Sequence, residues 1–474
     1  MISRILSTPI AAARGTIPAG TPRRITADVL SAVLPGPGRD RLGSGEVLAV
    51  TTGQQPALFT GPLYTVYKAL SAVALAGRLE RERGIPVVPV FWVAGDDHDF
   101  AEANHAWVLG RDGEPAQITL RDRPHDAPQL PLFREPLGPD IATALAALDT
   151  ALPDSEGKLD VRRWLEASYR AELNLADASA EALNRLLGGK GLAIFRAHDP
   201  AAKRAAVPWL LRALDLTLED GLSPVLVEGR LGRDRLRRDD SDFVTRRSGE
   251  RFTRSQLEKI AADTPERLSP NVLLRPVIEA ALFPTVAYVG GPGEMEYLPE
   301  SAALFSTLGV TPQAHVPRWS GLIIEARIDK VLTKHRLTPA DFNGQPGALE
   351  TRIAKAELPL PLAASLQELR EDVEARFARI SGEVLQIDPT LERTVEAARN
   401  AALARTNEIE RKLVASLKRT RGTMVSQLAR ARAALAPLGK PQERVVTVAS
   451  FLARYGGSLL DEIEQEVARW AASP

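Results

Sequence analysis

Asp96-Asp97-His98-Asp99 sets three carboxylates around one imidazole, and Glu102, Asn104 and His105 follow closely. That combination suits general acid–base work, the holding of an ammonium group, or Mg²⁺ bound through one or two carboxylates. His98, Glu102 and His105 would share one face if the segment were helical, a metal set that departs from H-E-x-x-H. Solvated loop acids with one capping aspartate are the plain structural alternative.

A second candidate is the loop from Gly53 to Gly61 in "VTTGQQPALFTGPLYTVYKA". It lacks the lysine of a P-loop and the spacing of G-x-G-x-x-G, so neither phosphate motif applies. A loop between a strand and a helix still offers unpaired N–H groups and a positive dipole end to a carboxylate or phosphate. Gln54, Gln55 and Thr60 add neutral donors and acceptors beside Gly53. In the following helix Val66, Leu70 and Val73 form one face, and Tyr64 and Lys68 share another, about 200° from Val66. Lys68 would either meet an anion in the pocket or lie on the surface. The third candidate is the turn Gly290-Gly291-Pro292-Gly293-Glu294 after Tyr288-Val289. Its glycines allow close approach of backbone to a ligand, or simply make a tight turn.

The elements that must position these groups read as α/β. Glu46 to Thr51 and Pro86 to Ala94 are continuous apolar runs, and Leu63 to Arg83 between them reads as a helix stopped by Gly84. Strands apolar throughout indicate a parallel sheet covered on both faces, with all three candidates on its carboxyl edge. The pattern breaks over 112–188, an insertion with amphipathic helical stretches near 160–172 and 176–187. It resumes at Gly191-Leu-Ala-Ile-Phe, Pro224-Val-Leu-Val and Pro284 to Val289. Arg230 to Ser248, dense in Arg and Asp, reads as a solvated excursion. The units are a Rossmann-like core over 1–111 and 189–361, the insertion 112–188, a charged excursion near 230–270, a helical hairpin over 362–437 and a helical return over 438–474.

In the hairpin Leu366, Leu369, Val373, Phe377, Ile380, Val384 and Ile387 step by three and four. Asp388-Pro389 then starts a second stripe through Leu391, Ile409, Leu413, Leu417 and Leu428 to Leu435. One helix of that length would run roughly 70 Å. Its narrow stripe calls for a partner along its length, so a hairpin that pairs with a second copy is the economical reading, and a charge at Leu413 or Leu417 would separate the copies.

Composition narrows the function classes. Lys plus Arg and Asp plus Glu are equal at 60 each, so no global field favours nucleic acid or an anionic membrane. No segment has the apolar length of a membrane span or a signal peptide, and the chain reads as cytoplasmic. Cysteine is absent, which excludes disulfides, thiolate zinc sites and a cysteine nucleophile.

"TGQQPALFTGPLYTVYKA", "VPVFWVAGDDHDFAEANH", "LSPNVLLRPVIEAALFPTVAYVGGPGE" and "KPQERV…FLARYG" occur in this order, and together they resemble the bacillithiol biosynthesis cysteine-adding enzyme family, BshC. The resemblance implies a Rossmann-like core related to nucleotidyltransferases and class I synthetases, with connecting insertions and a C-terminal coiled coil that dimerises. It also implies a ligase joining cysteine to glucosaminyl-malate, with ATP or ADP as nucleotide and Mg²⁺ as its companion. Asp97, His98 and Asp99 would then position an amine and handle its proton. The loop from Gly53 to Lys68, with Asn104 and His105, would bind substrate, and the turn Gly290 to Glu294 would cradle sugar or nucleotide. Arg318 would clamp a carboxylate, and Lys440, Gln442, Arg444 and Tyr455 form a second nucleotide candidate. Zinc is not expected, since it usually needs protein thiolates. Pro299 interrupts the helix after Glu294, and Val446 and Thr447 replace an aromatic and an Asn found in some members. A nucleotidyltransferase acting on another small substrate and a nucleotide-binding dimeric scaffold are the competing readings.

Overall fold

Leu48–Gln54, Val87–Val93 and Ala193–Arg196 are parallel neighbours in the computed structural model, which describes residues 2–12 and 14–473. The chain then returns to the other side of Leu48–Gln54 and adds Thr285–Gly290 and Ala314–Pro317, also parallel. Reversal of direction between Leu48–Gln54 and Thr285–Gly290 is the switch point of a Rossmann-like sheet, where such folds bind ligands at the carboxyl edge. All seven residues of Val87–Val93 are buried, as a strand covered on both faces requires. Each Val or Leu buried this way contributes roughly 1.5–3 kcal/mol. Helix Tyr64–Arg83 makes the first crossover and lays Val66, Tyr67 and Leu70 into the core. Gly84 closes it in the left-handed conformation, φ 65°, with its N–H on the Glu80 carbonyl.

Two expectations need correction. Pro224-Val-Leu-Val does not extend the parallel sheet. It belongs to Leu222–Gly229, in a separate antiparallel sheet ordered Arg251–Phe252, Asp242–Thr245, Gly232–Asp239, Leu222–Gly229, Leu268–Pro270. Nor is Arg230 to Ser248 a solvated excursion, because it supplies two of those strands. The alternation is there in Gly232–Asp239, but Asp234 occupies an inward position where an apolar residue would betray a strand. Its buried carboxylate accepts from the backbone N–H groups of Arg235 (2.8 Å), Arg247 (2.9 Å) and Ser248 (3.2 Å).

Within 112–188, Pro115–Thr119 pairs with His105–Leu109, and helices Asp140–Ala151, Glu156–Ser168 and Leu175–Leu187 follow. His105 therefore begins a strand. Helix Phe100–Ala103 stops before it, and the proposed helical face of His98, Glu102 and His105 does not exist. Among the described residues no group of His, Asp and Glu converges as a metal set. No helix among them is long and apolar enough to cross a membrane.

Contacts divide the chain into Met1–Ala326 with Lys440–Pro474, and Arg327–Gly439. In the second unit, helices Leu360–Ile387 and Glu392–Thr420 form a hairpin turned at Asp388, whose carboxylate accepts from Thr390 N–H at 2.9 Å. The expected 70 Å rod is broken. Arg421 (φ −102°, ψ 37°) ends the first piece and Gly422–Leu435 is a separate helix. Gly422 is a weak helix former and the stripe around it is sparse, so little resists the break. Leu413 and Leu417 pack within this unit against the cluster of Ala354, Leu358 and Val414. The exposed apolar residues are others, among them Leu369, Ile380, Leu385 and Ile409. In the first unit, Lys440–Pro474 contributes helices Ala449–Tyr455 and Ser458–Ala472, the latter against Tyr64–Arg83.

Candidate active site

The loop after Leu48–Gln54 is held in an unfavourable backbone. Phe59 and Thr60 have φ of 52° and 68°, a region non-glycine residues seldom occupy. Tyr169 Oη accepts from Thr60 N–H at 2.8 Å and donates to the Ala57 carbonyl at 2.9 Å. Thr447 Oγ1 donates to the Phe59 carbonyl at 3.0 Å, so Thr447 supports this loop. Gly53 answers to the sheet. A Cβ there would lie 2.9 Å from the Trp92 carbonyl oxygen.

Lys68 leaves the helix almost fully buried, and its Nζ donates to the Gly53 carbonyl (2.7 Å) and Gln54 Oε1 (3.0 Å). It also forms an ion pair with Glu294. All three ammonium hydrogens are thus matched within the protein, and Lys68 acts as a brace across the switch point. Burial lowers Lys68, with Glu294 opposing. Burial would raise Glu294, but Lys68, Arg275 and the Gly291 N–H together hold its carboxyl below the usual range. Gly291 N–H reaches Glu294 Oε2 at 2.8 Å, so this turn grips its own carboxylate.

Behind Glu294 runs a network the sequence did not reveal. Tyr288 Oη donates to Glu294 Oε1 (2.5 Å) and accepts from Arg275 Nη2 (3.2 Å). Arg275 Nη1 pairs with Glu279 Oε2 at 3.0 Å, and Thr51 Oγ1 donates to the other Glu279 oxygen. Burial pushes Glu279 up to about 7, with Arg275 and Thr51 pulling the other way.

On the opposite side, the corner after Val87–Val93 is anchored by Asp96, whose Oδ1 lies 2.5 Å from the buried Nζ of Lys203. Asp97 Oδ1 accepts from the N–H groups of His98 (2.7 Å) and Asp99 (3.3 Å). Asp99 caps Phe100–Ala103 through Glu102 N–H at 2.9 Å, and Gln55 Nε2 bonds its carbonyl at 2.8 Å. Burial and Arg233 hold His98 below the usual histidine range, against Asp97, so its ring is neutral at pH 7. Burial, Asp99 and Asp97 raise Glu102. Arg233 is fixed by Ser269 Oγ (2.8 Å) and the Pro270 carbonyl (2.7 Å), and its Nη1 stands 3.5 Å from His98 Nδ1.

Between the two corners lies a cleft of about 360 Å³. Of the residues singled out from the sequence, Gly53, Gln54, Gln55, Tyr64, Lys68, Asp97, Gly291, Gly293, Glu294, Arg318 and Arg444 line it. Thr60, His98, Asp99, Asn104, His105, Gly290, Lys440, Gln442 and Tyr455 do not. Asn104 is tied to the Arg121 carbonyl and to His105. Arg318 corrects its expected role, because Glu443 already fills its fork at 2.8 and 2.7 Å. Gln442 is buried with its amide on the backbone N–H and carbonyl of Ile323, and Tyr455 bonds Glu325. Neither presents a free group to a nucleotide.

Sequence reasoning missed Arg233, Arg275, Asn271 and Tyr297, which also line the cleft. Arg275 and Glu279 do show an i, i+4 pair after a Pro-started turn; Arg233 gives no such signal within an Arg/Asp run. Along the cleft, Arg233 and Arg444 have no carboxylate, and Glu102 no cation, in ion-pair contact among the described residues; Asp97 has only the neutral His98 ring, at 3.9 Å. The site thus offers positive and negative charge to one zwitterionic or bipolar guest.

Two family models match the chain. One, the N-terminal Rossmann-like domain of bacillithiol biosynthesis BshC, covers residues 39–220 and 226–319, and the other, the C-terminal coiled-coil domain of BshC, covers 321–469. Relatives named "Putative cysteine ligase BshC" include those of Salinibacter ruber (32% identical, 90% of this chain and 81% of that one). Symbiobacterium thermophilum has another at 31%, over 90% and 83%, and Solibacter usitatus one at 32%, over 91% and 85%. A Mycobacterium tuberculosis methionyl-tRNA synthetase in complex with methionyl-adenylate overlays 90% of this chain and 93% of its own, at 11% identity and a TM-score of 0.21, too low to carry an argument.

Proposed function

Since the chain belongs to the BshC family of bacillithiol biosynthesis, we propose that it is a carbon–nitrogen ligase joining L-cysteine to glucosaminyl-malate, with ATP as the activating substrate. The observation that carries this reading is the set of charges of both signs left without ion-pair partners along the switch-point cleft, Arg233 and Arg444 with Asp97 and Glu102. Amide formation needs a carboxylate made reactive and an amine made neutral. The carboxylate oxygen attacks the γ- or α-phosphorus of ATP, and ADP or pyrophosphate leaves as the acyl phosphate or adenylate forms. The ammonium first gives one proton to water, the amine nitrogen attacks the carbonyl carbon, the C–N bond forms, the bond from that carbon to the phosphate-bearing oxygen breaks, and a second proton leaves the nitrogen with the departing phosphate or nucleotide. Asp97 on the cleft wall holds the incoming ammonium, and Arg444 stabilises the phosphate-bearing oxygens. Lys68, Glu294, Tyr288 and Arg275 brace the two neighbouring strand ends at the switch point.

Incubation of the purified protein with glucosaminyl-malate, L-cysteine and ATP should give a product of their condensed mass, absent when ATP is withheld. Nucleotide transfer to glucosaminyl-malate without cysteine would support the nucleotidyltransferase reading, and no turnover or binding the scaffold. We also infer a homodimer through the helical hairpin, supported by the exposed apolar residues on its surface.

A further inference from the structure

Beside the cleft lies a larger cavity of about 870 Å³, and the two share a wall of Arg233, Asn271, Val272 and Tyr297. The two adjoin along that wall. Arg233 stands at the junction with its guanidinium already oriented by Ser269 and Pro270. Asn271 is set in the same way, its Oδ1 accepting from Leu273 N–H (3.1 Å) and Leu274 N–H (2.8 Å), so its amide NH₂ is left as a donor.

We propose that this second cavity binds the glycosyl part of a carboxylate-bearing amino sugar whose acid groups rest on Arg233 at the junction. The proposal rests on the ligase reading above and adds to it the place of one substrate. The volume lies within the range of small-molecule sites, roughly 300–1,000 Å³. Leu226, Leu273 and Leu304 provide an apolar wall for the C–H face of a sugar ring. Glu219 and Glu300 at the rim are exposed and have no cation in ion-pair contact among the described residues, so they can accept from hydroxyl groups. The same two carboxylates oppose a polyphosphate, which separates a sugar from a nucleotide as occupant. In a glucosaminyl glycoside the amino group and the acid-bearing substituent sit on neighbouring ring carbons. Carboxylates held at Arg233 therefore leave the amine at the junction, on the Asp97 side.

Thr307 is exposed and lines the cavity, so Thr307→Trp fills it from the surface while sparing the core. Calorimetric titration of the full chain with glucosaminyl-malate, and separately with ATP, tests the assignment. Binding of glucosaminyl-malate should weaken roughly ten-fold or more in Thr307→Trp and in Glu300→Lys, with ATP affinity unchanged. Failure of the wild-type chain to bind glucosaminyl-malate, equal binding by the variants, or weakening of ATP instead would overturn it. The ligase chemistry fails separately, on absence of product from a chain that still binds the sugar.

Discussion

Glu279 is entirely buried, and its position makes a prediction about pH. Its carboxyl is raised to about 7 in the fold, above the usual value near 4.5. Between those values the folded chain holds a proton that the unfolded chain has released, so this group's stabilising contribution is full below pH ~4.5 and is lost as pH rises towards 7. Glu279→Gln keeps the shape and removes the titration. Unfolding free energies of the two proteins from denaturant titrations between pH 4.5 and 7.5 should therefore diverge by an amount on the order of 3 kcal/mol, and parallel curves would contradict the raised value. At this scale the sequence is partly legible. Asp97 and Glu294 line the cleft, whereas Lys68 stood open between an anion in the pocket and the surface, because sequence cannot show that three acceptors already surround it. Arg318 misled for the same reason, its partner Glu443 being distant in the chain.

Elements were legible where a periodicity had one meaning. The apolar runs at Leu48–Gln54 and Val87–Val93, with a Gly-stopped helix between them, could hardly be anything but a βαβ unit. Leu222–Gly229 is equally apolar, and nothing in such a run says which sheet it joins. Gly232–Asp239 stayed hidden because arginines fill its outward positions and a hydrogen-bonded aspartate an inward one. The hairpin carries a prediction of its own. Leu413 and Leu417 serve their own unit, so a dimer would use exposed residues such as Ile380 and Ile409. Ile380→Lys with Ile409→Lys should give monomers by light scattering with helix content retained. A double variant that remains dimeric would move the interface elsewhere.

For the whole molecule, charges that cancel along the sequence are left unpaired at one place in the fold. Equal numbers of acids and bases conceal a cleft where Arg233 and Arg444 stand among Asp97 and Glu102 without ion-pair partners among the described residues. Bringing them together takes two sheets. The parallel one delivers Asp97 and Glu294 to the switch point, and the antiparallel one, read from sequence as part of an excursion, delivers Arg233. Amide synthesis is proposed to occur in that cleft. Asp97→Asn keeps the corner's size and removes the charge proposed to hold the ammonium. The decisive measurement is its steady-state rate of forming isotope-labelled product from cysteine, glucosaminyl-malate and ATP, taken beside the wild-type rate and both melting temperatures. A loss of roughly ten-fold or more, about 1.4 kcal/mol of barrier, with unchanged melting temperature is the predicted result, and a fully active Asp97→Asn enzyme would contradict it.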